Sequence, residues 1–284
     1  MDTQDNSNDI QGWDKLAKKY SDWLDGGNDL MGKAFTTIVT DNVLDLLGDL
    51  KGKKILDLGC GEGYLSREMT LRGALVKGID GSEKMIKLAS SKRDEMGKAL
   101  DKKIDMEYQI GDIAKKLPYE DDQFDLVVCN MVLMDVYDVK SVVKETKRVL
   151  QKDGKFIFSI VHPCFFDALG SWLDVDKGIS IFVPKRRYIE EVVYMKHLVG
   201  LSADVELTHY NRPIQYYVNA LLGAEMQITD FRETSFGEQF LRDINLFDEL
   251  KKYHLTANNL IIGAKKYNAC IPPLPSKRNA FKSD

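Results

Sequence analysis

The chain has 284 residues, 44% hydrophobic and 30% charged, with a formal net charge of −4: the make-up of a soluble globular protein with room for one large domain or a core plus an insertion. The slight acidic excess gives no support for tight nucleic-acid binding, which needs clustered Lys and Arg, and no apolar run approaches the length of a membrane span. Cys60, Cys129, Cys164 and Cys270 are scattered without metal-ligand spacing and read as reduced thiols of a cytoplasmic protein that holds no metal.

The first eleven residues are polar and acidic, unlike a signal peptide, and read as a disordered tail. From Trp13 to Asp25 an amphipathic helix is predicted, with Trp13, Leu16, Ala17, Tyr20, Trp23 and Leu24 on one face. That face suits a lid over a ligand or permanent packing on a core. A second helix runs from about Met31 to Leu47 and stops at Gly48.

The stretch from Lys54 to Gly63 reads as a short buried strand that meets Asp57 and then a Gly-x-Gly-x-Gly turn opening a helix. Such a turn lets backbone N–H groups approach a ligand where only glycine avoids a clash. A dinucleotide fingerprint would place its third glycine where Tyr64 stands. Asp57 would repel a pyrophosphate and attract an ammonium. The turn therefore suits a nucleoside with an amino-acid tail, S-adenosylmethionine (SAM).

Leu75 to Asp80 is a second strand ending in an acid, where a ribose-binding carboxylate is expected for SAM and NAD alike. The Lys-rich stretch from Lys84 to Lys103 reads as a helix with a solvated face, buried through Met85, Ile86, Leu88 and Ala89. A third strand, Met106 to Ile110, runs into Gly111-Asp112-Ile113; a fourth, Phe124 to Asn130, runs into Met131. Strands ending in polar groups match the rule that open α/β sheets bind ligands at their carboxyl edges. Val139, Val142, Val143, Thr146, Val149 and Leu150 recur at helical spacing, and Asp153-Gly154 turns the chain into a fifth strand, Lys155 to Val161. The alternation predicts a parallel sheet with right-handed crossovers.

After Val161 the alternation breaks. Turn signals fall near Asp174 to Gly178 and near Gly200, and Tyr188 to Met195 and Val205 to Tyr210 read as strands of an inserted cap. Arg212-Pro213 opens a helix stopped by Gly223, with Ile214, Tyr217, Val218, Leu221 and Leu222 as its apolar face. Met226 to Phe231 and Asn259 to Ala264 complete the sheet, and Ile271 to Asp284 reads as a mobile tail. The expected divisions are a tail and lid helix over 1–30, a cofactor core over 31–163, a cap over 164–211, core completion over 212–267 and the tail over 268–284.

Asp57 to Gly63, Asp80, Gly111-Asp112 and the strand Phe124 to Asn130, in that order, resemble the class I SAM-dependent methyltransferases of the type 11 group, which includes the ubiquinone and menaquinone enzymes. The resemblance covers about Trp13 to Val161 and resumes more weakly to about Lys266. It implies an α/β, Rossmann-like, mostly parallel seven-stranded sheet with the aromatic-rich cap after the fifth strand, and SAM as cofactor. By the same resemblance Gly59, Gly61 and Gly63 cradle the methionine tail, Asp57 lies near its ammonium and Asp80 holds the ribose. Met85 covers the adenine, Asp112 with the Ile113 backbone reads its edge, and Asn130 lies beside the methionine portion. Tyr20, Cys60, Gly81, Gly111 and Met131 complete the expected cofactor set.

Methyl transfer from a sulfonium is an in-line displacement in which positioning supplies much of the acceleration. A hydroxyl or ammonium acceptor also needs its proton removed. His162, His209 and Asp135 are the candidates for that role. Each has a structural alternative: a turn hydrogen bond for His162, cap packing for His209, a helix-start acid for Asp135. Trp23, Trp172, Tyr188, Tyr194, Tyr216 and Arg212 are the candidate acceptor contacts, as walls of an apolar pocket and a grip on a carboxylate. The alternatives are that the rings form the cap's own core and that Arg212 caps carbonyls.

The expected activity is methylation of oxygen or nitrogen in a small aromatic or heterocyclic metabolite, with base assistance. C-methylation of a quinone-type precursor and SAM binding without catalysis are the alternatives. A small molecule is the expected partner, with no nucleic acid and no membrane, in a monomer or homodimer. A macromolecular acceptor is disfavoured because no basic groove is evident and because Asn130-Met131-Val132-Leu133 stands where nucleobase-amine methyltransferases carry an Asn/Asp-Pro-Pro-aromatic signature.

Overall fold

The computed structural model describes residues 5–25, 30–165, 170–176, 179–197, 204–243 and 254–267. The expected tail over 268–284 and the turn near Gly200 lie outside them.

Runs of apolar residues on both faces of successive strands favour burial between two helical layers. Lys54–Leu58 (β1), Leu75–Asp80 (β2), Met106–Ile110 (β3), Phe124–Asn130 (β4) and Leu150–Val161 (β5) form the parallel part of one seven-stranded sheet. Later in the chain Met226–Thr234 (β10) and Asn259–Lys266 (β11) join it antiparallel, giving the order β10-β11-β5-β4-β1-β2-β3. Alternate residues feed the two faces. Leu56, Val127 and Phe158 pack with helices Val139–Val149 (α5) and Ile214–Gly223 (α6). Ile55, Val128 and Ile157 pack with Leu30–Leu47 (α2) and Tyr64–Leu71 (α3). Strand order reverses between β1 and β4, so a crevice opens there at the carboxyl ends of the strands.

The fifth strand starts at Leu150, earlier than the Asp153-Gly154 turn signal implies. Leu150 already pairs with Phe124, and Asp153, at φ 61°, absorbs the irregularity inside the strand. Helix α6 ends at Gly223, with Glu225 at φ 54° just beyond it, and Pro213 precedes it as the N-cap residue.

The first helix, Ser7–Leu24 (α1), corrects the expected disorder of residues 1–11 as far as they are described. Asn6 and Asp9 are polar yet buried, because other elements supply their partners. Asn6 donates to Asp112 and accepts from the Tyr137 amide, and Asp9 accepts from the Thr208 amide. Hydropathy alone reads such residues as a tail. Along its length α1 lies against Glu83–Ala99 (α4), where Asp14 accepts from Ser82 and the Lys84 amide.

After β5 come two antiparallel hairpins, Gly170–Asp176 (β6) with Ile179–Pro184 (β7), and Val192–Lys196 (β8) with Leu207–Asn211 (β9). Tyr188, the expected start of the first cap strand, lies instead in the turn before β8; its hydroxyl accepts from the Ile214 amide at 2.8 Å. Among the described residues no helix is long and apolar enough to cross a membrane.

Candidate active site

At the carboxyl edge of β1 the backbone turns through Gly59, Gly61 and Gly63, at φ 68°, 53° and 83°. A side chain at Gly59 would strike Val132 at 2.7 Å, so this position needs glycine for conformation and for space. The turn's own N–H groups are largely spent inside the protein. Gly59 and Cys60 donate to the Ile79 carbonyl, Gly61 to Asp80 Oδ2 at 2.9 Å, and Gly63 to the Cys60 carbonyl. The turn thus supplies close approach and orients Asp80.

A cavity opens above this turn. Of the expected cofactor residues, Tyr20, Asp57, Gly59, Cys60, Gly61, Asp80, Gly81, Met85, Asp112, Ile113, Asn130 and Met131 border it. Gly63 and Gly111 stand behind it, one opening α3 and the other bonded to the Asp80 carbonyl. Asp57 is 2% exposed and accepts from Ser66 Oγ at 2.6 Å. Burial raises its pKa to about 7, with the charge of Asp80 adding and the Ser66 bond opposing. Burial likewise raises Asp80, against the lowering effect of the Ser82 and Gly61 amides. A carboxylate oxygen bonded once still has room for a ligand hydroxyl.

Met131, directly after β4, holds φ at 58°, its amide donating to the carbonyl and hydroxyl oxygens of Ser159. Non-glycine residues in this region are strained and recur at functional sites. Together, Asp57 for an ammonium, Asp80 for a diol, and Met85 and Ile113 for a flat base fit a nucleoside with an amino-acid tail.

Asp135 also borders the cavity. It lies in a single 3-10 turn, Leu133–Asp135, and is 9% exposed. The β8–β9 hairpin delivers its partners. Lys196 Nζ lies 2.7 Å from Asp135 Oδ1 and 2.9 Å from His209 Nδ1, and His209 Nδ1 is 3.1 Å from the same carboxylate oxygen. Burial opposes ionisation of Asp135, but Lys196 and His209 bring its pKa below the ordinary value. Burial lowers that of His209, with Asp135 opposing.

The other expected residues lie elsewhere. His162 does not border the cavity: Nε2 meets Glu233 Oε1 at 2.7 Å and Nδ1 accepts from the Cys164 amide, so both nitrogens are engaged in the turn after β5. Burial lowers its pKa, with Glu233 opposing. Arg212 is 1% exposed and cannot grip a substrate. Its guanidinium is bonded to Glu191 and to the carbonyls of Leu133, Val136 and Tyr137, and so braces the segment after β4. Tyr216 packs on that guanidinium at 4.9 Å, Tyr194 on the His209 ring, Trp172 on Phe182 and Trp23 on Tyr20. With Tyr188, none of these rings borders the cavity.

The apolar wall comes instead from Ile10, Trp13 and Leu24 of α1 and from Val132 and Val136. Asn6, Asp9 and Lys196 are the polar residues missed in sequence. Trp13 was legible through its helical face; the other three carry no local signal.

Comparison with known proteins agrees with this geometry. A family described as "Methyltransferase domain" matches residues 56–158. A ubiquinone biosynthesis O-methyltransferase from Pseudomonas syringae is 38% identical over 124 residues, 43% of this chain and 50% of that protein. One from Idiomarina loihiensis is 38% identical over 113 residues, 40% of this chain and 44% of that protein. The chain thus spans about half the length of the curated relatives it matches. Among solved structures, an S-adenosylmethionine-dependent methyltransferase from Mesorhizobium loti aligns with TM-score 0.64 and 25% identity, over 79% of this chain and 96% of that one.

Proposed function

Residues 56–158 form a methyltransferase domain of the class I SAM-dependent kind, and from that premise we propose that the chain transfers a methyl group from SAM to oxygen or nitrogen of a small molecule. The observation that carries this reading is that Asp135, bonded to Lys196 and His209, borders the same cavity as Asp57 and Asp80.

SAM, when bound, supplies an electrophilic methyl carbon on a sulfonium. Asp57 binds the ammonium of its tail and Asp80 the ribose hydroxyls, while Met85, Asp112 and Ile113 enclose the base. Trp13 and Tyr20 on α1 exclude water from above. Asp135 accepts a proton from the acceptor's hydroxyl or ammonium, and Lys196 and His209 fix the carboxylate's orientation. The expected aromatic acceptor is not carried forward, because the cap rings that suggested it do not border the cavity.

The test pairs binding with turnover. Thermal melts with SAM, S-adenosylhomocysteine and NADH identify the cofactor, and a mass-spectrometric screen with methyl-deuterated SAM identifies acceptors. Asp80→Ala is expected to abolish the SAM shift. Asp135→Asn is expected to keep SAM affinity and lose about a hundredfold in turnover. Stabilisation by NADH alone overturns the reading; SAM binding with no methylated product from phenols or amines supports a SAM-binding protein without catalysis.

A further inference from the structure

We infer that the methyl acceptor is a small amine, bound as its ammonium ion by Asp9 and Asp135, with Asp9 as the residue that selects it; this rests on the reading of the cavity as a SAM-dependent methyl-transfer site.

The argument is one of charge. Among the described residues, no Lys, Arg or His borders the cavity, whereas six carboxylates do. Four of them have other duties. Glu62 is paired with Arg67 and Lys92. Asp112 is bonded to Asn6 and to the Ala114 amide. Asp57 and Asp80 serve the cofactor's ammonium and ribose. The remaining two are Asp9 and Asp135; Asp135 is paired with Lys196 and His209, whereas among the described residues no ion pair joins Asp9 to a cation.

Asp9 is 6% exposed and its hydrogen bond is to the neutral Thr208 amide. Burial, and to a lesser extent the charge of Asp135, raises its affinity for a proton, while the Thr208 bonds and Lys196 oppose this. A buried carboxylate without a close cation is costly unless a ligand supplies one. An ammonium supplies the charge and the N–H donors; a phenol supplies neither charge nor enough donors for both carboxylates.

The chemistry balances. The bound ammonium gives one proton to the Asp135 carboxylate, with Asp9 holding the remaining N–H groups. The freed nitrogen lone pair forms the new N–C bond as the C–S bond breaks, and that electron pair goes to sulfur. S-adenosylhomocysteine and a methylated ammonium result, and the proton on Asp135 passes to water when α1 opens.

The alternative duty for Asp9 is to face the sulfonium of SAM, and the experiment separates the two. Protein saturated with S-adenosylhomocysteine, which has no sulfonium, is titrated calorimetrically with benzylamine, tyramine and catechol. Methyl transfer from SAM to tyramine is mapped by fragmentation, since tyramine offers both an amine and a phenol. The amines are expected to bind, catechol not, and tyramine to be methylated on nitrogen. Asp9→Asn keeps an oxygen for the Thr208 amide and is expected to lower benzylamine affinity about tenfold or more, with unchanged melting and S-adenosylhomocysteine affinity.

Methylation of tyramine on its phenol, failure of both amines to bind, or amine affinity untouched by Asp9→Asn overturns the inference. So does an Asp9→Asn variant that melts lower or that loses SAM affinity while keeping S-adenosylhomocysteine affinity. Failure to bind S-adenosylhomocysteine at all would instead overturn the underlying methyl-transfer reading.

Discussion

Asp57 is a carboxylate held in an environment that suits it only when a cation arrives. The folded chain keeps its proton up to about pH 7, against an ordinary value of 3.8. The unfolded chain releases that proton earlier, so raising pH through this window favours unfolding and the ligand-free protein loses stability. Asp57→Asn is expected to remove that loss: its ligand-free melting temperature at pH 8 should exceed that of the native protein, while its SAM affinity falls. Melting curves at pH 5 and pH 8 with and without SAM check both signs. Asp57, Asp80 and the glycines were legible in sequence because strand, acid and turn are contiguous and each residue type has a local reason. Arg212 and His162 each allowed a ligand-facing and a structural reading in sequence, and their contacts match the structural one. A polar residue at a strand end looks the same whether it faces a ligand or backbone carbonyls across the fold, and only the tertiary contacts decide.

At the level of elements, the acceptor end of the site is built where α1 meets the β8–β9 hairpin. Gly12 is the close-approach point: a side chain there would strike Leu207 at 2.6 Å. Gly12→Val is therefore expected to push α1 off β9, destabilise the protein by about 1–3 kcal/mol and weaken SAM binding, read by calorimetry and by the fluorescence of Trp13. Arg212 braces the same region from beneath. Arg212→Met leaves the carbonyls of Leu133, Val136 and Tyr137 without their donor and is expected to cost about 3–5 kcal/mol, measured by urea denaturation. The sheet strands were readable from apolar runs between turn signals. The cap was readable in part: β8 and β9 fall within a few residues of the expected strands, with Tyr188 in a turn, whereas the strands β6 and β7 were not assigned, because pairing such as Lys196 with Leu207 or Trp172 with Phe182 sets the limits of short hairpins.

For the molecule as a whole, the cofactor residues carried over from the family lie mainly on one stretch of chain along the parallel sheet, whereas the proposed acceptor contacts assemble from residues near 9, 135, 196 and 209. That division explains why the cofactor motifs were legible in sequence and the proposed acceptor contacts were not. It also predicts a clean ligand response. SAM at about a hundred times its dissociation constant should add about 2.7 kcal/mol, a shift of several degrees for a chain of this length, and Asp135→Asn should show the same shift. The first helix carries a kinetic consequence. It is latched at Asp112 through Asn6, at β9 through Asp9 and at Ser82 through Asp14, and it roofs the chamber in which spent cofactor must be exchanged for fresh. In the proposed reaction these latches open to release the by-product, and the expected outcome is a burst of methylated product in the first turnover, followed by a slower steady rate set by the roof.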